Sequence, residues 1–350
     1  MSFPIVRILK SGSVALLGMG FLLGVQAQED TWEQLIRNAP YHLSQGMTEN
    51  LQTLRRWVLF NEGYCEVTDR HILFDLGGHF VSWMDNTEDP LQMQASLNAV
   101  RASLFEQQRI DHWLPGSKGA LGYPFSFSCN QPHVEIDTAI ERLNDKAVWG
   151  TWDGLTAGTE EEPISLAETA KIVYDQRQTQ LDSELTELSF QLFLAQMVIE
   201  SGAVKSATSR DNAIGILQLR SEALRDCEIP KKYYRHRMAQ VDCAFRLYVL
   251  NRRNLEPVFM ERFGHLDDEK RARLLSLLLV QTYHSGIGNM QKLLGEGEQG
   301  KAAMYFAEHY KRYSAEDILT GMLFHNIGRS PWGWESLFYL MDIQLVEQRL

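Results

Sequence analysis

The sequence is short of positive charge and lacks a long apolar run. Among its 350 residues, 34 are Lys or Arg and 45 are Asp or Glu, which gives a net charge of −11. An acidic chain gains no affinity for nucleic acid from counterion release, and it is not attracted to an anionic membrane surface. No apolar run reaches the ~20 residues that a membrane-spanning helix needs. We therefore expect neither nucleic acid nor a stable membrane anchor among its interactions.

The first 27 residues have the composition of a secretory signal peptide. Arg7 and Lys10 precede a short apolar run from Val14 to Val25, and a small-residue cleavage site ends at Ala27. A membrane anchor is the alternative, but the run is short for a spanning helix, and no Cys follows it to carry a lipid. Removing residues 1–27 takes away two positive charges and leaves a net charge of −13. We expect export without a membrane anchor after signal removal.

Cysteine is scarce as well, and its spacing matches no zinc pattern. The four cysteines are Cys65, Cys129, Cys227 and Cys243. An even number in an exported chain indicates disulfides, with three possible pairings. We favour Cys65–Cys129 and Cys227–Cys243, one in each of two predicted domains, with four free thiols as the alternative. A metal site could be assembled on paper from five side chains without diagnostic spacing, and we expect neither a metal nor a cofactor: His71, His79, Asp111, His112 and His133.

Apolar periodicity and turn residues divide the remaining chain into three parts. Residues 28–153 predict an α+β accessory region of unknown fold, with a hairpin around Gly77-Gly78 and a Gly- and Pro-rich loop over 114–134. Residues 154–163 predict a linker, because they are rich in Gly, Thr and Glu without periodicity. Residues 164–350 predict a mainly helical domain, which opens with a capping box at Ser165 and Glu168.

The most informative stretch runs from Phe190 to Gln218. It begins as an almost wholly apolar helix, whose start we place near Asp182 or Ser183, and it carries one carboxylate, Glu200, at its end. Gly202 follows at a suitable stop position. Desolvation and the negative end of the helix dipole both disfavour the charged carboxylate, so they should raise its pKa. A raised pKa suits a general acid that works near neutral pH.

The residues after Glu200 resemble the signature of the soluble lytic transglycosylases, lysozyme-like enzymes that cleave peptidoglycan glycan strands. The positions that match at the family spacing are Glu200, Ser201, Ser209, Ala213, Gly215, Ile216 and Gln218. Two positions depart further: Asn212 replaces a Gly and Leu217 replaces a Met. Asn tolerates a left-handed turn, and Leu conserves the volume of Met. Neither change touches a proton-transfer group.

Two later segments extend the resemblance over about residues 165–345. Tyr283-His284-Ser285-Gly286 follows an apolar helix where the family carries Tyr-Asn-Ala-Gly. Glu335 to Tyr339 is similar to the family's terminal Glu-Thr-x-x-Tyr, although a core role for Tyr339 is an equal alternative. Tryptophans at 149, 152, 332 and 334 could stack on sugars, but packing is their commoner use.

The resemblance implies a lysozyme-like catalytic domain and a periplasmic location. It implies cleavage of the β-1,4 bond between N-acetylmuramic acid and N-acetylglucosamine, with formation of a 1,6-anhydro sugar. Glu200 would be the acid and then the base. The substrate-binding residues would be Ser209, Gly215, Gln218, Tyr283 and Tyr339, with Tyr283 holding Glu200.

The expected partners are peptidoglycan glycan strands, and residues 28–153 could bind other envelope proteins. Two alternatives stay open. One is a hydrolytic muramidase that uses Asp211 as a second carboxylate. The other is a non-catalytic peptidoglycan-binding or scaffold module, which the departures at 212, 217, 284 and 285 would suit.

Overall fold

The computed structural model describes residues 31–130, 134–181, 185 and 187–350. The predicted signal peptide, His133 and the predicted helix start near Asp182 or Ser183 lie outside these described residues. Residues Thr31–Leu350 form one compact unit by their contacts. None of the helices in the described ranges has the length and apolarity to cross a membrane.

The protein is mostly helical, as the sequence predicts. The helices of the described residues are α1 (Trp32–Asn38), α2 (Met47–Phe60), α3 (Pro90–Glu106), α4 (Ile136–Asn144), α5 (Leu166–Gln180), α6 (Glu187–Ser201), α7 (Ser221–Asp226), α8 (Arg237–Phe263), α9 (Asp268–Ser285), α10 (Ile287–Leu294), α11 (Lys301–Glu308), α12 (Ala315–Phe324) and α13 (Trp334–Glu347). The predicted capping box is present, because Ser165 Oγ accepts from the N–H of Glu168 at 3.1 Å and the Glu168 carboxylate accepts from the N–H of Ser165 at 2.8 Å.

Seven short strands make three small antiparallel sheets in the described residues. They are β1 (Arg70–Phe74), β2 (Phe80–Asp85), β3 (Phe125–Ser128), β4 (Lys146–Val148), β5 (Gly150–Trp152), β6 (Leu155–Ala157) and β7 (Ile164–Ser165). The predicted hairpin at Gly77-Gly78 is confirmed as β1–β2. β3 pairs with the other edge of β1 inside the segment that was expected to be a loop. It forms because Phe125 and Phe127 alternate into the core.

The segment predicted as a linker contains β6, which pairs with β5. Asp153 and Gly154 connect these strands with φ of +46° and +78°. An Asp-Gly pair with both φ angles positive is the preferred two-residue hairpin turn. Leu155 and Ala157 of β6 are buried, so this part of the segment belongs to the packed structure.

Helix α6 lies in the core, as its all-round apolarity predicts. Its side chains Leu192, Phe193, Ala195, Met197 and Val198 are buried, and it packs against α9 and α13. Both favoured disulfides are confirmed: Cys65–Cys129 joins the segment after α2 to the end of β3, and Cys227–Cys243 joins the segment after α7 to α8.

Candidate functional site

Glu200 occupies the last turn of α6, where the sequence places it. Gly202 ends the helix with φ of +63°, and its N–H donates to the carbonyl of Val198 at 2.8 Å. The Glu200 side chain is half-buried. Burial raises its pKa to about 7, and a hydrogen bond from Tyr339 opposes part of that rise. A carboxyl with this pKa holds its proton through mildly acidic pH and can release it near neutrality.

A chain of three hydrogen bonds positions the Glu200 carboxyl. Tyr248 Oη donates to Gln196 Oε1, Gln196 Nε2 donates to Tyr339 Oη at 2.6 Å, and Tyr339 Oη donates to Glu200 Oε1 at 2.7 Å. Each hydroxyl proton is used, so the Tyr339 proton points at the carboxyl. Sequence reasoning missed Gln196 and Tyr248. The available signal was Gln196 itself, a polar residue inside an apolar helix and one turn before Glu200.

Tyr283 contacts a different part of the site from the one expected. Its hydroxyl donates to the carbonyl of Leu217 at 2.6 Å, and the hydroxyl that reaches Glu200 belongs to Tyr339. Tyr283 still lines the same cleft as Glu200. Burial, together with the nearby Glu200 charge, raises the pKa of Tyr283 well above the ordinary value for tyrosine. Tyr339, for which a core role was the alternative, therefore makes the contact that was expected of Tyr283.

The motif residues after Glu200 form a tight loop. Ser209 Oγ accepts from the N–H groups of Asp211 and Ala213 at 3.2 and 3.0 Å. Gln218 Nε2 donates to the carbonyl of Gly215 at 2.9 Å. Asn212 has φ of +61°, which agrees with its expected left-handed conformation. Ser209 and Gln218 thus have turn-forming roles, and both also line a cleft with Glu200.

Gly215 allows another side chain, Gln240, to approach the loop. Its φ is +76°, and a Cβ at this position would overlap the Gln240 amide. That amide donates to the carbonyls of Ile214 and Tyr234 at 3.0 and 2.6 Å and accepts from the N–H of Leu217 at 3.2 Å. Close approach at Gly215 was predicted for the glycan, and in the structure it serves the packing of Gln240.

The end of α6 is also tied to its surroundings. Ser201 Oγ donates to the carbonyl of Ile216 at 2.8 Å, which joins the helix to the motif loop. Arg142 Nη1, from α4, donates to the carbonyl of Gly202 at 2.8 Å. These two bonds anchor the two residues that directly follow Glu200.

The space in front of Glu200 is a cleft of about 780 Å³, called here the Glu200 cleft. Three of the predicted site residues line it together with Glu200: Ser209, Gln218 and Tyr283. His284 lines it as well, whereas Gly215 and Tyr339 are not among its described lining residues. Asp211 lines it too, with a side chain that is 80% exposed and 3.9 Å from Arg220. A cleft of this volume suits a ligand of several rings.

His284 occupies a position where the resemblance expects Asn. Its ring stacks on that of Tyr339, with 4.4 Å between the centroids and 20° between the planes. Burial lowers the pKa of His284, so the imidazole is neutral at neutral pH. A neutral aromatic ring here supports Tyr339 without adding a charge beside Glu200.

The tryptophans proposed for sugar stacking divide between two environments. Trp152 Nε1 donates to Asp242 at 2.9 Å, and Trp332 Nε1 donates to Gln299 at 3.0 Å with its side chain buried. Trp149 is exposed, and Trp334 lines a second cavity. No protein-family model matches the chain, and no curated protein matches it significantly.

Proposed function

We propose that this protein is a peptidoglycan lytic transglycosylase of lysozyme-like type, which acts on glycan strands in the periplasm. The observation that carries the proposal is the Glu200 carboxyl. This carboxyl is half-buried at a helix end, and its pKa is raised to about 7. Tyr339 donates a hydrogen bond to it, and it lines a cleft large enough for a ligand of several rings. The motif resemblance around residues 200–218 and 283–286 supports the same class of reaction.

The proposed reaction uses one carboxyl group twice. Protonated Glu200 gives its proton to the glycosidic oxygen as the bond from the muramic acid C1 to that oxygen breaks. The acetamido group of the same sugar stabilises the positive charge at C1. The C6 hydroxyl then forms a bond to C1 and returns its proton to Glu200. The products are a 1,6-anhydro end and a free hydroxyl end, and no water is consumed.

The other residues would position the substrate and the acid. Tyr339 orients the Glu200 carboxyl, and its hydrogen bond keeps the pKa from rising further. Tyr283 fixes the motif loop through Leu217, and Ser209 and Gln218 present polar groups to the cleft. The raised pKa places the acid near its most effective range at neutral pH.

A hydrolytic muramidase is the second candidate, because Asp211 lines the same cleft as Glu200. A second carboxylate could activate water or stabilise the cation. Mass spectrometry of the products distinguishes the two reactions. Anhydro ends, lighter by one water, support the transglycosylase, whereas reducing ends support the hydrolase and contradict our first proposal.

The deciding experiment compares wild type and Glu200→Gln in the digestion of purified cell-wall sacculi. We expect activity to fall by at least ~100-fold, since proton transfer contributes about 10²–10⁴ to such rates. Glu261→Gln, on the exposed surface of α8, is the matched control and should keep full activity. Circular dichroism should show both variants folded. If the wild-type protein binds sacculi but releases no product at any pH, the protein is a binding module instead.

A further inference from the structure

A second cavity borders the Glu200 cleft. Its volume is about 640 Å³, and we call it the Tyr339 cavity because Tyr339 lines it. His284 lines both spaces, and the rings of His284 and Tyr339 are stacked on each other. Since the Tyr339 hydroxyl also contacts Glu200, one stacked pair of rings lies between the cavity and the acid. The two spaces are therefore neighbours that share His284 as a lining residue.

The N-terminal region supplies one wall of the Tyr339 cavity. Phe74 of β1, Phe125 of β3 and Leu121 lie on that wall, opposite Trp334 and Phe338 of α13. The Phe74 and Phe125 rings touch the Trp334 ring, with centroids 5.3 and 4.7 Å apart. The cavity therefore exists only where the N-terminal sheet meets the last helix. Its mainly aromatic wall suits a ligand with flat apolar faces.

The polar groups of the cavity indicate the charge of its ligand. Neither Lys nor Arg is found among the described lining residues, whereas Glu335 and Asp342 both line it. Asp342 is paired with buried Arg55 at 2.7 Å, and Glu335 is exposed. Trp334 Nε1 is buried with no hydrogen-bond partner among the described residues. Because Arg55 compensates the charge of Asp342, the repulsion of an anionic ligand comes from Glu335. A neutral ligand with hydroxyl and amide groups would not be repelled.

We propose that the Tyr339 cavity binds a neutral N-acetylglucosamine ring of the same glycan strand whose bond lies at Glu200. This inference rests on the proposed function. It gives residues 28–153 a direct role, because their aromatic side chains would complete the substrate site. A peptide stem is the competing occupant, and its carboxylates would face the exposed carboxylate of Glu335. The peptide is therefore less favoured, and the experiment separates the two.

The test uses the mature chain and peptide-free glycan strands of increasing length. Leu121 is 41% exposed at the cavity, so Leu121→Arg should fill it without unfolding the protein. Leu91→Arg, at a 74% exposed position of α3, is the matched control. Remote contacts with a substrate are used to accelerate the reaction at the cleaved bond. We expect Leu121→Arg to lower kcat/KM for long strands about tenfold, as for the loss of one ring contact, and to leave the shortest cleaved strand unaffected.

Several results would overturn the inference. Equal kcat/KM values for Leu121→Arg and Leu91→Arg on long strands would do so, as would an equal loss on strands of every length. A loss confined to strands that carry peptides would assign the cavity to the peptide stem. Should Leu121→Arg fail to fold, Leu121→Ala at the same exposed position replaces it, with Leu91→Ala as its control and a smaller loss expected in the same length-dependent pattern.

Failure of the proposed function is distinguishable from failure of this inference. A wild type that cleaves no strand refutes the transglycosylase, and the cavity is then judged by binding alone. Calorimetry with Glu200→Gln as the parent would measure affinity for intact strands. We expect Leu121→Arg in that parent to weaken binding of long strands about tenfold, and unchanged affinity would refute the cavity as a sugar site.

Discussion

At the scale of single residues, Glu200 is a half-buried carboxyl that has to lose and regain a proton in the proposed reaction. Among the described residues, Tyr339 donates a hydrogen bond to its carboxyl, and neither Lys nor Arg forms an ion pair with it. The carboxyl is therefore more stable with its proton than without it. Two measurable consequences follow, one for the rate of reaction and one for the stability of the fold.

The first consequence concerns the pH dependence of activity. A general acid must be protonated, so kcat/KM should fall as pH rises through about 7, the raised pKa of Glu200. The Tyr339 hydrogen bond lowers that pKa, so Tyr339→Phe should move the falling limb to higher pH. The same variant should also reduce the maximum rate about tenfold, because the carboxyl loses its orientation.

A pH–rate profile of wild type and Tyr339→Phe checks this prediction. Tyr64→Phe in the N-terminal region, outside the Glu200 cleft, is the control and should leave the limb in place. A purely structural role for Tyr339 would lower activity equally at every pH. A limb that moved to lower pH would contradict the assigned direction of the hydrogen bond.

The second consequence concerns stability. The pKa of Glu200 is higher in the folded protein, about 7, than the ordinary value of 4.5, so the folded state holds an extra proton between these values. The contribution of this bound proton to the free energy of unfolding is fully present below the unfolded pKa, and it is lost as pH rises through the folded pKa. Glu200→Gln removes the titration but keeps an oxygen that can accept from Tyr339.

We expect Glu200→Gln to be more stable than wild type by about 1–2 kcal/mol at pH 8, and equal to it at pH 4. This figure is smaller than the full shift implies, because the side chain is only half-buried and water screens part of the cost. Urea unfolding at the two pH values measures the difference. An equal stability gain at both pH values would show that packing, rather than ionisation, is responsible.

At the scale of elements, the motif loop depends on the fit between Gly215 and Gln240. Gly215→Ala should destabilise the fold by ~2–3 kcal/mol, because it adds both a positive-φ strain and an overlap with the Gln240 amide. In a Gln240→Ala background, only the strain of ~1 kcal/mol should remain. A double-mutant cycle with urea unfolding measures the coupling. Additive costs would mean that the loop moves away from Gln240 freely.

Element prediction from sequence succeeded where one pattern dominates and failed where tertiary contacts decide. The apolar α6, the Ser165 capping box and the Gly77-Gly78 hairpin were all predictable. The apolar pattern of the predicted helical domain does not mark the break between α7 and α8, which contains Cys227 and Pro230 and is held to α8 by the Cys227–Cys243 disulfide. β3 was not predictable, because its strand character comes from pairing with β1 rather than from its Gly- and Pro-rich surroundings.

The candidate site divides in the same way. Glu200 and its loop lie within 19 residues of sequence, so local spacing was enough to identify them. The contact between Glu200 and Tyr339 joins residues 139 positions apart, and the Gln196–Tyr248 bond spans 52. No local pattern specifies such pairs. The sequence therefore indicated the acid but assigned its orienting tyrosine to Tyr283.

At the scale of the whole molecule, the N-terminal region is joined to the helices around Glu200 by buried polar contacts. Arg55 of α2 makes a two-bond ion pair with Asp342 of α13, at 2.8 and 2.7 Å. Asp317 of α12 accepts from the N–H groups of Gly46 and Thr48, which caps the start of α2. Because these groups are buried, each partner would be left unsatisfied if the two parts separated.

This integration predicts the behaviour of a chain shortened to residues 164–350, the predicted catalytic domain. The fragment lacks α2, so apolar faces of α12 and α13 would be uncovered. Asp342 and Asp317 would also lose their N-terminal partners. Losing even one buried Leu contact costs about 2–5 kcal/mol, and fully buried Leu51, Leu54 and Val58 would all be absent. We expect the fragment to be aggregated or molten.

A chain that begins at residue 28, the predicted mature form, is the reference for this fragment, with near-UV circular dichroism and gel filtration as measurements. We expect a cooperative transition for the mature chain and none for the fragment. Adding Asp342→Leu and Asp317→Ala should improve the solubility of the fragment only slightly, since the uncovered apolar area remains. A fragment that folds cooperatively and digests sacculi would show that residues 164–350 are an independent catalytic domain, and that the N-terminal region is an accessory to it.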